Sequence, residues 1–352
     1  MMSLQKLKTR IVKVKPVLLM VVVQMTFGWV NVFFRLAQYD GMNLRVVIAY
    51  RFIFASAFLV PLAIIFERKG MQKIDKMVIF QAFWCGLIGG AITHNLYLEG
   101  LALTNATFSS AMTNLIPGMT FAMAALLRME SLGIIKVLGT LIGIGGAMIL
   151  TFYKGLVLDI FPAHVNLLMK EHNAHKTVTI HSNWLVGSAF SFLYCIAFAS
   201  WMIIQTKMIN RYPYPYTASA MMNLLAAVFS TGFVFCFSRR ADEWALGLDI
   251  RLATVAYAGI VSSGVSFTLM TWCMKVRGPV FTASFFPLMP IVCSIAGAML
   301  LDERLHLGSA LGCFLIICGL YMVLWGKGKD LKAQAKTLTC VEEEKNDVTN
   351  IC

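Results

Sequence analysis

The feature that most constrains this chain is a series of long apolar runs that recur along most of its 352 residues. Each run has about 20 residues with few or no charges, and a helix of that length crosses about 30 Å of hydrocarbon. Only 13% of the residues are charged, whereas a soluble domain carries about 25%. The sequence therefore predicts an all-α membrane protein with ten transmembrane helices, at residues 17–36, 44–66, 77–99, 104–127, 133–153, 185–208, 217–237, 252–273, 279–301 and 307–326.

The polar joints between these runs are short, so no separate soluble domain is expected. The first run is longer than the apolar region of a signal peptide and lacks an obvious small-residue cleavage site, which predicts that the first helix is kept. The tail contains "VEEEKNDVTN" and is typical of a disordered segment. The predicted organisation is a cytoplasmic tail at 1–16, a first repeat at 17–153, an extracytoplasmic loop at 154–184, a second repeat at 185–326 and a disordered cytoplasmic tail at 327–352.

The net charge of +13 is distributed unevenly between the two sides of the predicted membrane. If the amino terminus is cytoplasmic and the ten runs alternate, the cytoplasmic segments hold 20 of the 30 lysines and arginines. Such an excess in short loops indicates the cytoplasmic side. Both termini are therefore predicted to be cytoplasmic, and the basic charge indicates topology, with no nucleic acid expected as a partner.

The sequence also resembles itself when it is shifted by 173 residues. In this register Pro117 falls on Pro290, Glu130 falls on Glu303, and Gly139 falls on Gly312, without a gap. Each predicted repeat has five helices, an odd number, so the second copy would enter the membrane upside down. Inverted repeats are typical of secondary transporters that expose a central site to alternate sides. Chance alignment of Leu-, Gly- and Ala-rich helices is the competing explanation.

The stretch "TNLIPGMTFAMAALLRME" places an amide and a proline inside the fourth predicted helix. Proline removes a helical hydrogen bond, and broken helices are tolerated at membrane depth where they line a cavity or find other partners. Interruptions at matching positions of two halves point to a substrate site, although a purely structural kink is the alternative. The candidate binding residues from these two helices are Thr113, Asn114, Pro117, Ser284, Pro287 and Pro290.

Three further polar residues inside predicted helices are candidates for the same site. Arg51 is a basic residue well inside its helix, and such a costly group usually faces a partner or an aqueous cavity. Arg51 is interpreted as a contact for a substrate carboxylate, as part of an interhelical salt bridge, or as a side chain that snorkels to the membrane surface. Asn31 is a candidate hydrogen-bonding residue, and His94 with Glu99 is interpreted either as a proton relay or as an interfacial polar cap.

No enzymatic motif accompanies these residues. Paired aspartates, Gly-x-Ser-Gly and His-Glu-x-x-His are all missing from the sequence of the predicted helices, so an enzyme is not predicted. The expected partners are a small-molecule substrate and the lipid bilayer. No cofactor or metal is predicted, while proton coupling, a homo-oligomer and glycosylation of Asn105 are left open. A channel and a lipid-handling protein are the alternatives from other classes.

Several motifs together identify a family. The stretches "AYRFIFASAFLVPLAIIFERK", "KVLGTLIGIGGAMILTFYKG" and "DERLHLGSALGCFLIICGLYMVLWGK" resemble the plant nodulin-like, Walls-Are-Thin-related transporters. These are also called the usually-multiple-acids-move-in-and-out transporters, and they have EamA repeats of the drug/metabolite transporter superfamily. The resemblance extends over residues 16–327. It implies ten helices in two inverted repeats and movement of amino acids, or for some relatives auxin, across the plasma membrane or the vacuolar membrane.

The sequence departs from these relatives at two places near the expected site. It has Thr93-His94 where many relatives have Asn-Gln, and Phe286 where they tend to have asparagine. The expected function is therefore a carrier for small organic solutes, amino acids first, at the plasma membrane, with a different substrate of the same family, such as auxin, as the alternative.

Overall fold

The structure is a computed structural model and is almost entirely helical. It describes residues 2–39, 41–71, 73–104, 106–131, 133–153, 157–158, 184–237, 244, 246, 250–300, 305–306, 308 and 310–330. The helices of the first half are α1 (Met2–Tyr39), α2 (Leu44–Phe66), α3 (Lys76–Leu103), α4a (Ala106–Thr113), α4b (Ile116–Leu126) and α5 (Ile134–Phe152). Those of the second half are α6 (Trp184–Arg211), α7 (Pro215–Phe237), α8 (Ile250–Arg277), α9a (Pro279–Ala283), α9b (Leu288–Leu300) and α10 (Ala310–Asp330).

Eight helices in the described part of the chain are long and apolar enough to cross a membrane. They correspond to eight of the ten predicted helices, all except the fourth and the ninth. Those two positions hold the shorter, interrupted apolar segments Ala111–Leu126 and Pro279–Cys293. The all-helical membrane architecture is confirmed, and the count of ten complete spans stays a prediction.

Two boundaries differ from the prediction. α1 begins at Met2, although the first span was expected at residue 17, because the lysines and arginines ahead of the apolar run are good helix formers. α10 continues to Asp330, beyond the predicted boundary at residue 326, and its last turn is held by contacts of Asp330 with Lys136 and Ser131. The loop at 154–184, apart from 157–158 and Trp184, the tail from residue 331 and Asn105 lie outside the described residues.

α5 and α10 cross through glycines in reverse order along the chain. A Cβ built on Gly139 would lie 2.8 Å from the carbonyl oxygen of Gly319, and one built on Gly146 would lie 3.0 Å from that of Gly312. The helix backbones therefore touch, as small residues allow in membrane helices. Low residue numbers of α5 meet high residue numbers of α10, so the two helices are antiparallel. Since they are the fifth helices of the two repeats, the copies have opposite orientations.

The irregular backbone segments also follow the repeat. α3 is π-helical over Cys85–Ile92, and α8 is π-helical over Tyr257–Ser266. A shift of 173 residues carries the first segment onto 258–265, inside the second. α4 is interrupted at 114–115 and α9 at 284–287. The same shift carries 114–115 onto 287–288, so the two interruptions overlap at residue 287. The duplication is thus visible in the places where the helices depart from regular geometry.

The interior of the bundle is packed with aromatic and sulfur-containing side chains. The largest buried cluster joins Phe27, Phe52, Trp201, Phe267 and Phe286, with several methionines around them. The outward faces carry exposed apolar side chains, such as Leu126 at 83% and Leu185 at 85% exposure, which a hydrocarbon environment would cover. Two short strands, β1 (Val157–Leu158) and β2 (Leu305–His306), form an antiparallel pair beside the ends of α5 and α10.

Candidate functional site

Arg51 lies at the centre of the described bundle, in the first half of α2. Its side chain is buried, with 6% of the residue exposed. The Nε group donates to the Oγ atom of Ser263, and Nη2 donates to the Oγ atom of Ser262 over 3.3 Å. The guanidinium carbon also lies 5.4 Å from the ring centroid of Phe267. The cation is therefore surrounded by hydroxyls and aromatic rings.

The two serines reach Arg51 because of the irregular geometry of α8. Both belong to its π-helical segment, and such segments frequently occur at functional sites. Gly259 of the same segment packs against α2 so closely that a Cβ there would lie 2.9 Å from the carbonyl oxygen of Arg51. A larger residue at position 259 would push α8 away and separate the serines from the guanidinium.

No carboxylate lies within 4 Å of Arg51 in the part of the chain that the structure describes. The alternative interpretation of Arg51 as one half of an interhelical salt bridge therefore has no partner among those residues. A buried charge normally has a counter-charge or faces a cavity. Hydroxyl dipoles stabilise the guanidinium here without neutralising its charge.

His94 lies next to this centre, but it is not joined to Glu99. Its ring packs edge-on against Phe52, with centroids 5.3 Å apart, and Nδ1 is 2.9 Å from the carbonyl oxygen of Gly90. Glu99 pairs instead with Arg45 near the start of α2. The structure thus gives no direct contact for a His94–Glu99 proton relay.

Aromatic rings connect the Arg51 region with the interruption of α9. Phe27 stands 5.8 Å from Phe267 and 6.5 Å from Phe286, measured between ring centroids. Phe198 packs edge-on against Phe286 at 5.1 Å and also contacts Trp201. Phe286 therefore lies among the predicted site residues and adds an aromatic side chain to them.

The interruption of α9 places the second-half candidates beside α1. Pro287 ends the irregular segment, and Pro290 is the third residue of α9b. Asn31 donates to the carbonyl oxygen of Phe27 over 2.7 Å and approaches the Sδ atom of Met289 at 3.5 Å. Ser284 is buried and donates to its own helix, at Val280. Of these residues, Asn31 makes the contact between the two repeats.

The interruption of α4 forms a second polar position on the opposite repeat. Asn114 is 2% exposed, and its buried Nδ2 atom has no hydrogen-bond partner among the described residues. Thr113 donates to the carbonyl oxygen of Ser109 over 3.2 Å. Pro117 is the second residue of α4b, where its missing N–H costs no helical bond. Among the candidate binding residues at the α4 interruption, Asn114 therefore has a hydrogen-bond donor that the described residues leave unused.

The structure brings the candidates into one interior, which apolar side chains enclose. Arg51 contacts Phe267, which contacts Phe27, four residues from Asn31 on α1. The part of α4 just before its interruption contacts α6, where the Cys195 thiol lies 3.0 Å from the carbonyl oxygen of Met112. Cys195 belongs to the same buried cluster as Phe27 and Phe267. The predicted polar chamber is thus occupied by rings and methionines that separate its polar groups.

Gln24 was not among the predicted site residues, although its position in the structure qualifies it. It is fully buried on α1, and neither its amide nitrogen nor its amide oxygen has a hydrogen-bond partner among the described residues. The sequence signal was its spacing of seven residues from Asn31, which places both on one side of a helix. Ser262 was missed because nothing in sequence alone indicates the π-helical turn that aims it at Arg51.

A buried arginine and unpartnered buried amides between two inverted helical repeats are typical of membrane transporters, and the comparisons with known proteins agree. The model of the EamA-like transporter family matches residues 14–152 and 185–325. The chain therefore belongs to the EamA-like transporter family, with one match for each repeat.

Its relatives include WAT1-related proteins of Arabidopsis thaliana. WAT1-related protein At1g68170 is 40% identical over 329 residues, which are 92% of each chain. WAT1-related protein At1g25270 is 35% identical over 95% of each chain. A solved crystal structure superposes with a TM-score of 0.66 at 15% identity, covering 88% of this chain and 97% of that one. That last likeness supports the fold alone.

Proposed function

We propose that this protein is a secondary carrier for small organic solutes that bear a carboxylate, with amino acids as the first candidates. The observation that carries this proposal is Arg51, a buried guanidinium in the central interior with serine hydroxyls and no carboxylate among its described neighbours. A guanidinium has five N–H donors. Two of them serve the serines, so others are left for an anionic group.

A substrate carboxylate would supply the counter-charge that the site lacks. Charge-assisted hydrogen bonds to carboxylates are among the stronger hydrogen bonds, and arginine presents its donors in a planar fork that fits the two oxygens. Asn114, whose Nδ2 atom is unpartnered, and Gln24 would then hydrogen-bond the remaining polar part of the solute. Asn31 would contribute from the side of α9.

Alternating access is the mechanism that fits two inverted repeats with matched interruptions. In such carriers one repeat rocks against the other around a fixed central site. Here the interruptions of α4 and α9 lie at matching positions, where short hydrogen-bonded turns replace regular helix and would line the route. The positive charge bias supports cytoplasmic termini, and the plasma membrane is the proposed location, with the vacuolar membrane as the alternative.

The aromatic lining favours a second candidate substrate, an aromatic acid such as auxin. Phe267 and Phe27 connect Arg51 with the part of α1 that holds Asn31, Phe286 packs beside Phe27, and Phe198 packs beside Phe286. Aromatic rings pack favourably against one another in edge-to-face or offset arrangements. In an aromatic acid, the carboxylate would therefore bind Arg51 while the flat ring packs against the phenylalanine side chains.

Flux into proteoliposomes tests the proposal. The purified protein should show saturable uptake of a labelled amino acid or aromatic acid, accelerated by unlabelled solute inside. The uncharged amide of the same solute should neither enter nor compete. Uptake that rises linearly with concentration and shows no counter-transport would indicate a channel and overturn the carrier.

The variants Asn114→Ala and Pro117→Ala test the assignment of the site. Each should lower the transport rate, because the first removes an unused donor and the second supplies the backbone N–H and removes the ring clash that would otherwise prevent α4 from continuing as one helix across the interruption. The matched control is Thr151→Ala in α5, whose hydroxyl donates to its own helix at Ala147. Wild-type transport in both test variants would remove α4 from the site.

A further inference from the structure

The end of α2 and the start of α7 are joined by one carboxylate. Glu67 directly follows α2, and α7 begins at Pro215. The carboxylate of Glu67 accepts hydrogen bonds from the backbone N–H of Thr217 over 2.7 Å, from its hydroxyl over 2.9 Å and from the N–H of Tyr216 over 3.3 Å. Proline has no N–H, so Glu67 binds the first two free backbone donors of α7.

This cap is unusual because it comes from the other repeat. The start of a helix is ordinarily capped by the residue just before it in the chain, whereas Glu67 lies 150 residues before Thr217. A negative charge at the start of a helix is also stabilised by the helix dipole. The ring of Phe66 stacks on that of Tyr216, with centroids 5.8 Å apart. The first repeat is therefore bound to the second at this end of the bundle.

A second contact between the repeats lies on the same side. Asp75, just before α3, pairs with Arg211 at the end of α6 over 2.8 Å, and both side chains are exposed. Residues 67–76 include four lysines and arginines, so the charge bias predicts that this side is cytoplasmic. At the opposite end of α2, the ion pair of Arg45 with Glu99 joins two helices of the first repeat.

Polar side chains behind the Glu67 contact are sealed from water. Gln205 on α6 and Asn223 on α7 each lie six residues, about 9 Å of helix, inward from this end. Both are fully buried, and their amide oxygens accept no hydrogen bond from the described residues. Asn31 and His94, which lie nearer the opposite side, are half-buried. Burying an oxygen without a donor is costly, so the closed side carries a cost that water would relieve on opening.

We propose that Glu67 is a positioning residue of the transport cycle, which holds the cytoplasmic side closed and releases α7 when that side opens. This role rests on the alternating access of the proposed function. While Glu67 caps α7, the two repeats are joined and Gln205 and Asn223 stay sealed. When the repeats tilt apart, the carboxylate and the N–H groups at the start of α7 are hydrated instead. A purely structural cap is the rival explanation, and it predicts lost stability without a change in access.

Transport measured from both sides tests this role. Glu67→Ala is compared with the wild type in proteoliposomes of known orientation, and the apparent affinity for one labelled amino acid is measured for entry from each side. That affinity scales with the fraction of molecules that face the side in question, so the ratio of the two affinities reports the equilibrium between them. Loss of hydrogen bonds to a charged group should shift the ratio roughly tenfold in favour of the cytoplasmic side.

Asn43→Ala is the matched control, because Asn43 caps α2 within its own repeat by accepting from the N–H of Arg45 over 3.0 Å. It should lower the melting temperature, as Glu67→Ala does, but leave the ratio of affinities unchanged. Asp75→Asn should shift the ratio only slightly, since exposed ion pairs contribute little. An unchanged ratio in Glu67→Ala, or an equal shift in Asn43→Ala, would overturn the proposal.

Hydrogen–deuterium exchange followed by mass spectrometry tests the same role without any solute. The backbone amides of 200–208 on α6 and 218–226 on α7 should exchange several-fold faster in Glu67→Ala, because water then reaches them more often, and at the wild-type rate in Asn43→Ala. Faster exchange without saturable uptake of any solute would support the role of Glu67 and reject the carrier. Unchanged exchange together with saturable uptake would reject the role of Glu67 and leave the carrier standing.

Discussion

Two buried cations of this protein have opposite surroundings. Lys136, at the start of α5, is 1% exposed and donates to Glu130 over 2.8 Å, to Ser131 over 2.8 Å and to Asp330 over 2.5 Å. Lys327 also pairs with Glu130. Arg51 is nearly as buried, but its described partners are two serine hydroxyls.

The contrast separates a structural cation from one that is available to a ligand. At Lys136 two cations meet two carboxylates, so the charges balance within the chain, and the last turn of α10 is tied to the loop before α5. At Arg51 no described carboxylate completes the balance. A buried charge that the protein itself does not neutralise is favoured when function requires it.

The largest expected effect is the loss of stability when the balanced cluster is broken. Lys136→Met would leave Glu130, which is 5% exposed, with one of its two partners removed. Breaking a buried ion pair from one side costs about 3–5 kcal/mol. The apparent melting temperature of the purified protein should fall clearly, as measured by thermal unfolding in detergent or nanodiscs.

Lys329→Gln is the matched control, because Lys329 lies 4.1 Å from the ring centroid of Trp325 on the same helix end and has no carboxylate within 4 Å among the described residues. Its loss should cost about 1 kcal/mol or less. Equal effects of the two substitutions would show that Lys136 is not the centre of a stabilising cluster.

The intermediate effect is expected on transport. Arg51→Gln removes the proposed carboxylate contact, and hydrogen bonds to charged groups contribute about 1.5–3 kcal/mol. The apparent affinity for a carboxylate solute should therefore fall roughly 10- to 100-fold in a concentration series of uptake. The melting temperature should be maintained or rise, because an uncompensated buried charge is removed.

This result would sharpen the contrast between the two cations. Arg51→Gln should lower the apparent affinity and maintain the melting temperature, whereas Lys136→Met should lower the melting temperature. The opposite outcome for Arg51→Gln, unchanged uptake together with a large loss of stability, would make Arg51 a structural residue like Lys136. Arg51→Lys separates charge from geometry, because lysine keeps the charge but lacks the planar fork.

The smallest effect is expected at a third basic residue, Arg45. It lies six residues before Arg51 on α2 and pairs with Glu99, with side-chain exposures of 29% and 36%. Partly exposed ion pairs contribute about 0.2–1 kcal/mol. Arg45→Gln should thus shift the melting temperature by only a few degrees and leave uptake near the wild-type value. A loss of uptake as large as that of Arg51→Gln would indicate that the Arg45–Glu99 pair belongs to the transport route.

The helices of this fold were largely predictable from the sequence, since apolar length and charge determine what enters a membrane. The interruption at Asn114 was predictable too, because proline has a specific backbone consequence at Pro117. The π-helical segments of α3 and α8 were not, because they arise from tertiary packing around glycines such as Gly259. For the same reason the sequence identified Arg51 as a candidate but could not name Ser262 as its partner.

The aromatic interior was unpredictable for a different reason. A phenylalanine in a transmembrane helix can face lipid or protein equally well, and only the packing of four helices, α1, α6, α8 and α9, places Phe27, Phe198, Phe267 and Phe286 together. The pairing of Glu99 with Arg45 likewise depends on how α2 and α3 are juxtaposed. Sequence spacing within one helix had suggested His94 as its companion.

The glycine crossing of α5 and α10 has a consequence for motion. At the contacts between Gly139 and Gly319 and between Gly146 and Gly312, the glycines face backbone atoms and the Cβ atoms of Leu150, Leu315 and Met322. A Cβ atom does not move with the rotamer of its side chain, so a slight swivel of the two helix axes would require no rotamer change. Because Gly139 and Gly146 are the repeat equivalents of Gly312 and Gly319, this crossing lies between equivalent positions of the two repeats. A swivel there would let each repeat tilt as a rigid unit. A single added methyl group there would obstruct the swivel for both halves at once.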